Sequence, residues 1–221
     1  MQKFATPAAV STVLDIPAGT IRLIAADRTD TTVEILPANA SKSRDVKAAE
    51  RIEVDYKDGV LRIEAPAPEK RLLGDSGSVE ITVQLPAGSR VLGKAALAEL
   101  RGVGRLGDVT FEAAQATVKL DETAGAHLAV QAGDITVGRL GGPAEITTRK
   151  GALRVAEAHR GTVTLRTDHG DITVGAARGA SAALDAGTAY GRVTNSLRND
   201  GTTDLFINAT TAYGDITARS N

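Results

Sequence analysis

Gly133-Asp134-Ile135-Thr136-Val137 and Gly170-Asp171-Ile172-Thr173-Val174 are the same pentapeptide. It returns as Gly214-Asp215-Ile216-Thr217-Ala218 and, more loosely, as Gly107-Asp108-Val109-Thr110-Phe111. Two degenerate copies, Gly151-Ala152-Leu153-Arg154-Val155 and Gly191-Arg192-Val193-Thr194-Asn195, lie between them. The glycines at 133, 151, 170, 191 and 214 are 18, 19, 21 and 23 residues apart. Such a period suits two strands and two turns per coil of a stacked β-architecture. A second strand precedes each copy: 126–130, 144–148, 162–166, 181–185 and 205–209.

Side chains alternate along a strand, so the residue two after each glycine points to one face. Val109, Ile135, Leu153, Ile172, Val193 and Ile216 are therefore expected to form one buried column. Thr110, Thr136, Arg154, Thr173, Thr194 and Thr217 are expected to form an outward one. No coil buries its apolar side alone, so stability comes from stacking. Next to the glycines run Asp134, Ala152, Asp171, Arg192 and Asp215. Like charges directly opposed on adjacent strands are unfavourable. In sequence order Ala152 or Arg192 separates each pair of aspartates, with Arg192 between Asp171 and Asp215.

The chain has 221 residues, 42% of them hydrophobic but only 3% aromatic, and no Trp. A core of small branched residues suits a narrow solenoid interior. With 26 basic and 27 acidic residues, it lacks the basic excess that drives sequence-independent nucleic-acid binding. The absence of Cys excludes disulfides, thiolate chemistry and Cys-ligated zinc. No apolar run reaches the length of a signal-peptide core or a membrane span. The expected location is the cytoplasm.

Residues 1–94 read as a β-rich region capping a solenoid over 95–221, in one continuous elongated domain. Strands are expected over 10–16, 20–25, 31–36, 52–56, 60–65 and 78–85, with a short helix within 41–51. Pro17-Ala18-Gly19 and Pro86-Ala87-Gly88 have turn chemistry, and Lys57-Asp58-Gly59 marks a hairpin. Pro66 to Gly77 is the most loop-like stretch, with a possible docking peptide at Arg71-Leu72-Leu73.

Catalytic motifs are not evident. Gly102-Val103-Gly104-Arg105-Leu106-Gly107 fits a GxGxxG spacing, but a strand follows it where dinucleotide binding needs a helix. His127, His159 and His169 lack partners at metal-ligand spacing, so no metal and no cofactor is expected. The outward residues Arg149, Arg166, Asp168 and Asp185 do not converge in the sequence register, although Arg149 is expected to neighbour Asp168. The residues before the anchor glycines are Ala132, Lys150, His169, Tyr190 and Tyr213. His169, Tyr190 and Tyr213, with Arg192, form the candidate binding stripe, since an aromatic stack offers faces to a sugar ring or a partner. The last copy, at Asp215, Ile216 and Thr217, is expected to be an uncapped coil with unpaired backbone groups, and thus a self-association surface.

Val13-Leu14-Asp15-Ile16-Pro17-Ala18-Gly19, Ile81-Thr82-Val83-Gln84-Leu85-Pro86-Ala87-Gly88 and the Gly-Asp-Ile-Thr repeats together resemble a bacterial β-strand-repeat family labelled "putative adhesin", a domain of unknown function. The resemblance covers essentially the whole chain and implies a right-handed β-helix-like fold. The expected protein is all-β, a right-handed β-helix-like solenoid with a β-rich N-terminal cap. Its expected role is a non-enzymatic scaffold or interaction protein, binding a protein partner or a second copy of itself. The alternative is a carbohydrate-binding or carbohydrate-processing β-helix protein.

Overall fold

The computed structural model describes residues 1–66 and 77–221. The strands are β1 (Gln2–Ala5), β2 (Ser11–Ala26), β3 (Asp30–Pro37), β4 (Glu53–Lys57), β5 (Val60–Glu64), β6 (Val79–Pro86), β7 (Arg90–Ala132) and β8 (Ile135–Leu140). They continue as β9 (Ala144–Lys150), β10 (Leu153–Ala158), β11 (Gly161–His169), β12 (Ile172–Ala176), β13 (Ala182–Tyr190), β14 (Val193–Ser196), β15 (Leu205–Tyr213) and β16 (Ile216–Ser220). One helix, α1 (Ser43–Arg51), interrupts them. Among the described residues all sixteen strands belong to one open sheet, a solenoid-like stack rather than a closed barrel. No helix among these residues is long and apolar enough to cross a membrane. The expected loop over Pro66 to Gly77, including Arg71-Leu72-Leu73, falls almost wholly outside the described residues.

The stack has two rows of strands. One row runs β4, β5, the first half of β2, β7, β9, β11, β15, β13. The other runs β1, β3, β6, the second half of β2, β7, β8, β10, β12, β16, β14. Pro17-Ala18-Gly19 does not end a strand. It is the corner at which β2 passes from one row to the other, pairing with β5 before it and with β6 after it. Residues 11–25 of β2 lie parallel to residues 90–104 of β7, so a full coil precedes the visible repeat, and β7 runs unbroken through residues 94 and 95. At the hairpin between β4 and β5, Asp58 and Gly59 both take positive φ (50° and 79°), as a tight two-residue turn requires. Helix α1 lies against β3 and β6, and its buried Asp45 accepts the Ser78 N–H at 3.1 Å.

The interior is the alternate residues of both rows: Val163 and Leu165 on β11 and Ile172 and Val174 on β12 are all fully buried. The expected buried column is corrected at both ends. It consists of Val118, Ile135, Leu153, Ile172 and Ile216, and then Val193. Val109 is buried in the other row, and the unit beneath Ile135 is Thr117-Val118-Lys119-Leu120. Spacing explains this: 118 to 135 is 17 residues, one coil, whereas 109 to 135 is 26. Each buried member of the column contributes roughly 1.5–3 kcal/mol relative to exposure.

The second correction is topological. The last coil in sequence is not the last in space. β15 pairs with β11 on one side and β13 on the other, and β16 lies between β12 and β14. After β12 the chain lays down the outermost coil, β13 and β14, then returns to fill the gap beneath it. Asp215, Ile216 and Thr217 are therefore interior to the stack, and Ile216 is 0% exposed. The open coil is β13 with β14.

A candidate interaction site at the open end of the stack

The glycine column ties each coil to the next. Gly170 has φ +152°, and a Cβ there would lie 2.0 Å from the Gly151 carbonyl oxygen. No side chain fits such an approach. Threonines of the first row, Thr167 and Thr211 buried and Thr188 half-buried, close the same corner. The hydroxyl of Thr167 donates to the Gly151 carbonyl, that of Thr211 to Gly170 and that of Thr188 to Gly214, each at 3.0 Å.

The next position runs, in space, Asp134, Ala152, Asp171, Asp215, Arg192. Asp171 and Asp215 are adjacent, and Arg192 is not between them but beyond Asp215. What reconciles two neighbouring aspartates is the backbone. Asp134 accepts the Ala152 N–H, Asp171 accepts the Asp215 N–H and Asp215 accepts the Arg192 N–H, each at 2.8 Å. Each carboxylate thus satisfies a turn amide of the following coil rather than facing only its like.

One residue before the glycines, the stack reads Ala132, Lys150, His169, Tyr213, Tyr190. The His169 and Tyr213 rings are stacked at 4.9 Å and 8°, and Tyr213 and Tyr190 at 4.9 Å and 3°. That separation is the spacing of neighbouring strands, so the ladder is imposed by the sheet. The sequence brings these three residues together correctly but reverses the tyrosines. Tyr190 is outermost, 67% exposed, with one ring face bare along the stack axis.

Beside Tyr190, the end coil leaves its interior column open. Val193 is 41% exposed, while its neighbour Ile216 is fully buried. Leu184 and Ala186 on β13 are only partly buried. Among the described residues no strand pairs with the outer edges of β13 or β14. The sequence expects Val193 in the buried column and gives no sign of Leu184 and Ala186 as surface residues, because the order of coils is invisible there. The one hint is the wider spacing of the last glycines and the Asn199-Asp200-Gly201 connection.

The remaining polar groups divide into two settings. His127 pairs with Glu145 and His159 with Glu157, both at 3.5 Å and both near the surface. Among the described residues no group of three or more His, Asp or Glu side chains comes together as a metal site. Contrary to the sequence register, Arg149, Arg166 and Asp168 do converge, lining one open groove on the outer face of the first row. Asp185 lies apart, on β13 opposite Asn208.

Solved structures similar to this chain include the "putative adhesin" of Parabacteroides distasonis, at 16% identity over 98% of this chain and 95% of that one, with a TM-score of 0.47. A "putative cell adhesion protein" of Clostridium sporogenes matches at 14% identity over 100% and 98%, TM-score 0.33. A "putative lipid binding protein" of Parabacteroides distasonis matches at 9% identity over 98% and 95%, TM-score 0.35. No curated protein sequence matches the chain. The family model described as Toastrack DUF4097 matches residues 12–220, nearly the whole length, and the chain belongs to that family.

Proposed function

We propose that this protein is a non-enzymatic β-solenoid interaction protein of the "putative adhesin" type, which binds a second copy of itself or another protein through the open coil of β13 and β14. Right-handed winding and capping of the opposite end by the β-rich residues 1–94 belong to the same reading. The observation that carries it is the end coil itself, with a nine-residue and a four-residue strand edge unpaired and Tyr190 and Val193 exposed. An unpaired strand edge beside bare apolar side chains is a template for another strand. Light scattering behind size exclusion, over a hundredfold range of concentration, tests self-association. Growth in mass that a Val193→Asp change abolishes supports it; a monomer at every concentration leaves only a foreign partner.

The bare Tyr190 face favours a second reading, carbohydrate binding, since aromatic faces stack on sugar rings as well as on protein. A glycan array with the wild type and with Tyr190→Ala/Tyr213→Ala separates the two. No glycan retained by the wild type removes this alternative.

A further inference from the structure

A second surface, which shares no residue with the open coil and is separated from β13 by β15 at its nearer end, has the makings of a ligand site. Across the outer face of β7, β9 and β11 runs an open groove of about 810 Å³. Its floor includes Ala95, Ala114 and Ala129. At one end Lys94 and Glu112 pair at 3.8 Å. At the other stand Arg149, Arg166 and Asp168, and the pairs Thr167–Thr148 and His169–Lys150 set Asp168 beside Arg149. Two arginines elsewhere on the stack are held by carboxylates, Arg101 by Asp121 at 2.9 Å and Arg139 by Glu122 and Glu157 at 3.4 and 3.5 Å. Neither the Arg149 nor the Arg166 side chain has an ion pair or hydrogen bond among the described residues.

We propose that this groove binds an acidic polysaccharide, a chain of uronic-acid type whose carboxylates meet Arg149 and Arg166 and whose hydroxyls donate to Asp168. Guanidinium is suited to carboxylate recognition by paired N–H donors. Asp168 decides against a purely anionic chain such as an acidic peptide. It repels added carboxylates, but it accepts hydrogen bonds from hydroxyls, which a sugar acid presents next to its charge. The alanine floor lets a flat ring approach the sheet, and the open ends suit a polymer rather than a small molecule. No bond is made or broken in this role. The site is independent of the β13–β14 surface, so either can fail alone.

The test is calorimetric titration of the full chain with oligogalacturonate at low salt, beside maltohexaose and poly-L-glutamate. Oligogalacturonate is expected to bind, maltohexaose not, and poly-L-glutamate more weakly than the sugar acid. Arg149→Ala/Arg166→Ala should weaken oligogalacturonate binding by about tenfold or more. Arg149→Lys/Arg166→Lys, which keeps the charge but not the fork geometry, should weaken it less. Asp168→Ala should weaken the sugar acid and strengthen poly-L-glutamate. Tyr190→Ala should change nothing. The proposal is overturned by no oligogalacturonate binding, by equal or tighter binding of poly-L-glutamate to the wild type, or by arginine variants that bind as the wild type does. Loss of binding in Tyr190→Ala alone would move the sugar to the aromatic ladder. The arginines are exposed, so unchanged melting curves are expected for both double variants; should the alanine pair melt early, the lysine pair carries the test.

Discussion

The backbone N–H of Asp215 donates to Oδ1 of Asp171 at 2.8 Å, making the last Gly-Asp-Ile-Thr copy in the chain the direct neighbour of the copy at 170–173. The coil at 191–195 is thereby displaced to the outside. Stability should follow the spatial order. Ile216→Asp places a charge in the sealed interior and should cost more than about 3 kcal/mol. Val193→Asp, at the rim, should cost less than about 1 kcal/mol. Urea melts of the two variants compare them directly, and equal losses would refute the order of coils.

Gly170→Ala should be among the most damaging small changes in the chain. Its φ of +152° and the 2.0 Å approach to the Gly151 carbonyl leave no room for a methyl group. A strained backbone position costs of order 1–3 kcal/mol before any displacement of the neighbouring coil. Gly179→Ala is the control: φ is +83° but nothing lies within 4 Å of the added carbon. If both variants melt alike, close approach is not what selects glycine in the column.

Removing the hydroxyl of Thr211 deletes its bond to the Gly170 carbonyl while keeping the shape of the side chain. Thr211→Val should destabilise by about 1 kcal/mol, because a half-buried carbonyl loses a partner. The opposite sign is expected at Thr12, which is 0% exposed and whose hydroxyl has no hydrogen-bond partner. Thr12→Val should be neutral or stabilising by up to about 1 kcal/mol. Thermal melts of the two valine variants should therefore shift in different directions.

Acid should act partly through Asp30. Its carboxyl is lowered from 3.8 to about 2, first by the hydrogen bond from Arg28 and then by that from Lys3, at 2.8 and 2.9 Å. A folded-state value below the unfolded one means that the stabilisation is complete above about pH 4 and is lost as pH falls toward 2. The same arginine also donates to Gln84, joining β3 to β6. Asp30→Asn should flatten the fall in melting temperature between pH 4 and 2 and lower it at neutral pH. An unchanged acid profile would show that the pair contributes nothing to folding.

How much could be read from the sequence is clearest at particular residues. The positions of Ile135, Leu153 and Ile172 in one buried column follow from period and alternation, and the structure has them paired. The hairpin at Asp58-Gly59 and helix α1 follow from local turn and composition signals. Val109 lies in the other row because Gly107-Asp108-Val109-Thr110 matches the motif in letters but not in spacing. Arg149 and Asp168 are neighbours as their register predicts, but that Arg166 joins them in one groove does not follow from it.

Stacked β-coils, and a shared column for His169, Tyr190 and Tyr213, follow from the residues alone. Those properties are periodic, and a period is written in consecutive residues. Which coil ends the stack is set by long-range strand pairing. Every coil presents nearly the same edge and an Ile, Leu or Val to its neighbours, so local energetics scarcely distinguish one order from another. The connections Ala177–Ser181 and Leu197–Asp204 let the chain leave a gap and return to fill it. That choice buries Ile216, bares Val193 and Tyr190, and so places the surface on which any partner must act.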